Sequence, residues 1–75
     1  MELKYIVTET IYHNGKLTRT AYGIALVDDK DGVTIVLDSI DDISITPDKM
    51  YEAVKCFNTL GLSRKHFHDA VEELV

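Results

Sequence analysis

The sequence has one cysteine, one proline and no tryptophan. A single cysteine has no partner for an intramolecular disulfide, so a disulfide-linked secreted scaffold is excluded. The N-terminal residues lack a signal-like apolar segment, and a lone thiol in such a chain is typical of a reducing compartment. No apolar run approaches the roughly 20 residues that a transmembrane helix needs. The sequence therefore predicts a cytoplasmic protein that does not associate with membranes.

The length of 75 residues predicts a single domain over residues 1–75. Hydrophobic residues make up 45% of the chain and charged residues 28%, which is typical of a globular domain. A chain this short buries only about 60% of its unfolded surface, so its core is marginal. Association with a protein partner, a second copy included, is one way to add buried surface.

Acidic residues are concentrated in one part of the chain, whose net charge is -5 overall. Residues 28–48 contain seven of the eight aspartates, opposed there only by Lys30. An acidic edge of this kind repels phosphate backbones, so direct nucleic-acid binding is not expected. A basic protein surface would complement it.

The first hairpin is predicted from the sequence "HNGK". Its Asn14-Gly15 pair is the dipeptide that two-residue type I′ turns prefer. A turn there would pair Val7 with Tyr22 and so fix the register. One face of the two strands is then consistently apolar and consists of Leu3, Tyr5, Val7, Tyr22, Ile24 and Leu26.

A second turn is predicted at "DDKDG", residues 28–32, where Gly32 can take a left-handed conformation. A third strand follows from about Val33 to Ile40. Its alternation predicts that Val33, Ile35 and Leu37 join the apolar face.

Two helices are predicted after the strands. Thr46 is the expected N-cap of the first, followed by Pro47, and Gly61 is the expected left-handed residue at its end. Ser63 is the expected N-cap of the second. The predicted apolar stripes are Met50, Ala53, Val54, Phe57 and Leu60, then Phe67, Ala70, Val71 and Leu74. The predicted fold is α+β, a three-stranded antiparallel β-meander followed by two α-helices packed on one face.

The stretch "LSRKHFHDA", residues 62–70, raises the question of a metal or catalytic site. Residues two apart on a helix point about 200° apart, so His66 and His68 cannot both bind one metal ion. Cys56 lies on the other helix, and no orienting group or oxyanion site accompanies it. The acidic turn fails the EF-hand pattern, because Val27 stands where the first aspartate is needed. We therefore predict no metal ligand, no cofactor and no enzymatic activity, although a metal-dependent enzyme or sensor stays open as an alternative.

The remaining functional candidates lie on the surface. The sheet face away from the helices carries small residues around Gly23, which would let another backbone or helix approach closely. This face is interpreted either as an ordinary solvated surface or as a docking face, and the two edge strands are further candidates for pairing.

The leading hypothesis is a small non-enzymatic protein-interaction module that docks a protein partner, a second copy included, through the open sheet face or the acidic edge. The alternative is an acidic inhibitor that mimics nucleic acid and binds a nucleic-acid-handling protein. The candidate residues are Ile6, Ala21, Gly23 and Val36 on the face, and Asp28, Asp29, Asp31, Asp38, Asp41 and Asp42 on the acidic edge.

Three short motifs, "KYIV", "AYGIAL" and "NTLGLSRKHFHDAVEELV", together resemble a domain-of-unknown-function family of short uncharacterised proteins from clostridial and related low-GC Gram-positive bacteria. The resemblance spans essentially the whole chain. The matching positions are Tyr22, Gly23, Ile24, Leu62, Ser63, His66, Asp69, Val71 and Glu72. It implies a cytoplasmic bacterial domain, and the family carries no assigned activity.

Overall fold

The computed structural model describes residues 2–74 and contains one antiparallel sheet followed by two helices. The elements are β1 Leu3–Asn14, β2 Leu17–Lys30, β3 Val33–Ser44, α1 Pro47–Leu60 and α2 Arg64–Glu72. The strands lie in the order β1-β2-β3, so β2 is central. The predicted α+β meander with two following helices is confirmed. Neither described helix is both long and apolar enough to cross a membrane.

The first hairpin forms, but its register differs by two residues from the prediction. Asn14 pairs with Leu17, so the turn closes one position later than a turn centred on Asn14-Gly15. Gly15 takes a φ of 63°, as a glycine at the first central position of a type II′ turn does. As a result, Tyr5 lies opposite Leu26. Because side chains alternate with a period of two, this shift leaves the predicted apolar face intact.

The core lies between this face and the two helices. Its buried members are Tyr5, Ile24, Leu26, Met50, Ala53, Phe57, Phe67 and Val71. The ring of Tyr5 lies between the helices, with its centroid 5.4 Å from that of Phe57 and 5.1 Å from that of Phe67. Both predicted helical stripes face the core, except that Leu60 is 73% exposed.

Strand β3 contributes different residues to the core from those predicted. Val33 and Ile35 are 58% and 55% exposed, and Leu37 is only half-buried. The β2–β3 ladder slips beside Leu37, so the alternation of side chains changes there. Ile40 and Ile43 pack against the core instead, because the strand continues four residues beyond its predicted end.

A larger bulge lies opposite Gly23. The ladder slips between Tyr22 and Ile24, so that residues 41–43 face Gly23 alone. A Cβ atom on Gly23 would lie 2.2 Å from the carbonyl oxygen of Ile40. Only glycine therefore allows the β3 backbone to approach β2 this closely.

The helix ends follow the predicted capping pattern in part. Thr46 has the extended backbone of an N-cap, but its hydroxyl lies 2.9 Å from the Ser44 hydroxyl and makes no bond to the helix. Gly61 takes the left-handed conformation, with φ 63° and ψ 42°, and the Leu62 N–H donates to the Phe57 carbonyl at 3.0 Å. This 6→1 bond turns the chain sharply into α2.

Substituting Gly23→Ala should destabilise the fold by about 2 kcal/mol or more, because the new methyl group would overlap backbone that cannot move without opening the bulge. The matched control is Gly32→Ala, which has open space around its position and carries only the strain of a φ of 77°, about 1 kcal/mol. Urea unfolding followed by circular dichroism compares the two. If the free energy of unfolding falls no further for Gly23→Ala than for Gly32→Ala, the close approach of β3 to Gly23 is contradicted.

Candidate interaction surfaces

A side-chain amide holds the outer edge of β1. Asn58 on α1 accepts a hydrogen bond from the Tyr5 N–H at 2.7 Å and donates one to the Tyr5 carbonyl at 3.0 Å. It thus occupies the place that a neighbouring strand would take. The Tyr5 hydroxyl donates to the Leu62 carbonyl at 2.8 Å, so one residue ties β1 to α1 and to the corner between the helices. The sequence offers no signal for this bond, because Asn58 simply follows a core position on its helix.

The phenol of Tyr5 is held in its neutral form. Burial raises its pKa above the ordinary value, and the negative charge of Asp38 adds to the effect. The proton is therefore retained for the bond to Leu62.

The sheet face opposite the helices exposes only part of the predicted docking residues. Ala21 is 1% exposed and Gly23 is also buried, whereas Ile6 is half-buried and Val36 is 59% exposed. The space in front of Gly23 is filled by the chain's own β3 backbone. The accessible part of this face therefore lies along its two margins, at Ile6 and Val36.

The buried row along the middle of this face belongs to β2 and contains Ala21, Gly23, Ala25 and Val27. None of these residues belongs to the core cluster formed with the helices. The row is nevertheless buried, so its residues offer almost no accessible surface to a partner.

The acidic residues divide into two groups. Asp28, Asp29 and Asp31 lie at the turn between β2 and β3, whereas Asp38, Asp41 and Asp42 lie in the second half of β3. Asp38 lies opposite Leu26, two positions along β2 from Asp28, so the two groups adjoin across the β2–β3 ladder, and only Asp41 and Asp42 lie farther along β3. The concentration of aspartates in the sequence thus gives one acidic strip, which runs from the β2–β3 turn along β3.

Most of these carboxylates contact other groups of the chain. Asp42 lies 3.6 Å from the Arg19 guanidinium, Asp38 lies 2.9 Å from His68 Nε2, and Asp28 accepts a bond from the Glu2 N–H at 3.0 Å. Among residues 2–74, Asp31 and Asp41 make neither a side-chain hydrogen bond nor an ion pair.

Asp29 is the carboxylate with the strongest local partners. It forms an ion pair with Lys4 at 2.9 Å and accepts a bond from the Thr34 hydroxyl at 3.2 Å. The hydrogen bond from Lys4 is the main cause that lowers the pKa of Asp29. The hydrogen bond from Thr34 and the positive charge of Lys4 lower this pKa further. A lowered folded-state pKa stabilises the fold above the unfolded-state pKa, and this contribution is lost as the pH falls through the folded-state value.

The histidines and the cysteine are dispersed over the surface. His66, His68 and Cys56 are all exposed. His68 borders a shallow depression of about 290 Å³ with Asp41 and Glu72. Within the described part of the chain, no group of three or more histidine, cysteine or acidic side chains is placed to hold a metal ion.

Comparison with protein-family models, with curated proteins and with solved structures finds no match for this chain. The family resemblance suggested by its short motifs therefore stays a prediction.

Replacing Lys4 with methionine should raise the pKa of Asp29 towards its ordinary value, because the main cause of its lowering is removed. The measurement is a titration of the side-chain carboxyl followed by NMR. Lys30→Met is the matched control, since it removes an equal charge from the same end of the sheet and leaves the Lys4–Asp29 ion pair in place. Equal shifts in both variants would show that general charge, and not the Lys4 contact, sets the pKa.

Substituting Asn58→Ala should lower the free energy of unfolding by about 1 to 2 kcal/mol, because two bonds to the edge of β1 are lost. Thr59→Ala serves as the control, since its hydroxyl bonds only within its own helix and its loss should cost less than about 0.5 kcal/mol. Denaturant unfolding measures both. An Asn58→Ala variant whose free energy of unfolding is unchanged would show that the two hydrogen bonds between Asn58 and Tyr5 add no stability.

Proposed function

We propose that this chain is a small, non-enzymatic protein-interaction module that docks through the sheet face opposite the helices. The observation that carries this proposal is the one-sided packing of the domain. Every member of the core cluster lies on the helix side of the sheet or on the helices themselves. Within residues 2–74 no second layer covers the other face, where Val36 is 59% exposed.

The distribution of exposed apolar residues supports a surface on the sheet. Among residues 2–74, the exposed large hydrophobic residues at strand positions that face away from the helices are Tyr12, Leu17 and Val36. Single exposed apolar residues are common, and these three supply the accessible apolar surface of this face together with the half-buried Ile6.

The chemistry of the face favours an apolar protein surface as its partner. Ile6 and Val36 flank the buried row of β2, and Thr10 and Ser39 lie on the same face of the same two strands. Two ion pairs that involve this face, Lys4–Asp29 and Arg19–Asp42, are closed within the chain. A partner that combines apolar and hydrogen-bonding groups would fit such a surface better than a highly charged one.

The second candidate function is the acidic mimic of nucleic acid. It is supported by Asp28, Asp29 and Asp31, which share one turn. It is weakened by the internal partners of Asp29, Asp38 and Asp42. We therefore rank it below docking through the sheet face.

The test is capture of binding proteins from a lysate of the source organism on immobilised protein, quantified by mass spectrometry. The double variant Ile6→Lys with Val36→Lys should reduce capture of the main partner about tenfold or more, because charges would be buried in an apolar contact. Leu60→Lys is the matched control, because Leu60 is equally apolar and 73% exposed but lies on α1.

Two outcomes would contradict docking through the sheet face. One is unchanged capture by the double variant. The other is capture that disappears at high salt and in the triple variant Asp28→Asn, Asp29→Asn, Asp31→Asn, which is the behaviour of the acidic mimic.

A further inference from the structure

The outer edge of β1 is an open row of main-chain donors and acceptors. The N–H and C=O of Tyr5 both point outward, since Asn58 binds both. The β1–β2 ladder runs without a slip, so every second residue after Tyr5 has the same orientation. These residues are Val7, Glu9, Ile11 and His13, and within the described chain no group bonds their outward-facing main-chain atoms.

The opposite edge of the sheet is interrupted. The Arg64 guanidinium donates to the Leu37 carbonyl of β3 at 2.8 Å. The β2–β3 ladder slips twice, and the bulge at residues 41–43 bends the strand. Such features prevent edge-to-edge pairing. The straight edge of β1 from Val7 to His13 has none of them.

The hairpin of β1 and β2 also extends beyond the rest of the sheet. Pairing between β2 and β3 stops at Tyr22, whereas pairing between β1 and β2 continues to Asn14 and Leu17. This arm is two-stranded, with Ile11 53% exposed and Leu17 73% exposed. A two-stranded ribbon is only marginally stable in water, and an added strand would stabilise it.

We propose that this edge pairs with the same edge of a second copy, antiparallel, about a two-fold axis at Ile11. Ile11 then faces Ile11 of the partner subunit, and Glu9 faces His13 of the partner subunit. The symmetry repeats the second contact, because His13 faces the partner's Glu9. Each facing pair exchanges two main-chain hydrogen bonds, and the two sheets become one.

The sequence around Ile11 selects a second copy and this register. Glu9 and His13 lie two positions to either side of Ile11, so antiparallel pairing brings a carboxylate opposite an imidazole that can donate to it. An axis at Glu9 would place two carboxylates face to face. An axis at Thr10 would place Glu9 opposite Ile11 and leave the apolar residues unpaired.

The two hydrogen bonds between Asn58 and the Tyr5 main chain limit the paired segment without obstructing it. In this register Val7 faces Gly15 of the partner subunit, so Tyr5 lies beyond the paired residues. Asn58 of helix α1 bonds the main chain of this edge at Tyr5, outside the paired segment. The interface is distinct from the sheet face that we propose for docking.

The test is amide hydrogen exchange, followed by NMR from roughly 10 µM to 1 mM protein, together with sedimentation equilibrium. The outward amides of Glu9, Ile11 and His13 should become protected as concentration rises, while the mass increases from 8.5 kDa towards twice that value. The amides of Thr8, Thr10 and Tyr12 already bond to β2 and should stay protected throughout. Outward amides that exchange freely at every concentration would overturn the proposal.

Variants then test the register. Ile11→Pro removes an outward N–H that the β1–β2 ladder does not use, together with the side chain at the axis, and should give a folded monomer. Glu9→Lys should weaken the dimer between roughly twofold and thirtyfold, and adding His13→Glu should restore it, because the charges exchange places. A restored dimer supports the axis at Ile11, and a double variant that stays as weak as Glu9→Lys contradicts it.

The double variant Ile6→Lys with Val36→Lys separates this interface from the proposed docking face. It should leave the dimer unchanged even where capture of the lysate partner is lost. Loss of the dimer in this variant, with amide protection of β2 retained, would show that the sheet face rather than the β1 edge joins the copies.

Discussion

The contacts of Tyr5 hold the sheet and both helices together. Its ring packs between Phe57 and Phe67, so one aromatic residue of the edge strand supplies the centre of the core. Its main chain is clasped by Asn58, and its hydroxyl holds the carbonyl of Leu62 at the helical corner. A domain with so few core residues depends strongly on each of them, and Tyr5 also determines where the free edge of β1 begins.

The close approach of β3 to Gly23 is the second constraint on the structure. Because no side chain projects there, the bulge at residues 41–43 can fold tightly against β2. The bulge brings Ile40 and Ile43 towards the core and interrupts the edge of β3. The two edges of the sheet therefore differ. The edge of β3 is irregular, and the edge of β1 is regular and available for pairing.

Local patterns in the sequence predicted the strands, the helices and the α+β arrangement, since alternation, caps and apolar stripes act over a few residues. The predicted hairpin register was wrong because the two-residue loop is Gly15-Lys16 and not Asn14-Gly15. The exposure of Ile35 was missed because the core ends at Leu26 on β2, whereas Ile35 lies on the predicted face but opposite Asp28, beyond the core. Asn58 was missed because its bonds reach across 53 residues to main-chain atoms, which leave no trace in the sequence pattern. The aspartates are clustered in the sequence and stay close in space, because the β2–β3 pairing brings Asp38 opposite Leu26, two positions from Asp28.

We expect this domain to make its contacts through the sheet face opposite the helices and through the outer edge of β1. The most direct measurement is an isotope-filtered NOE experiment on a concentrated mixture of labelled and unlabelled protein. The predicted result is a set of intermolecular contacts between main-chain protons of Glu9, Ile11 and His13, with Ile11 closest to its own counterpart. Intermolecular contacts confined to exposed helix residues such as Tyr51 and Leu60 would contradict it.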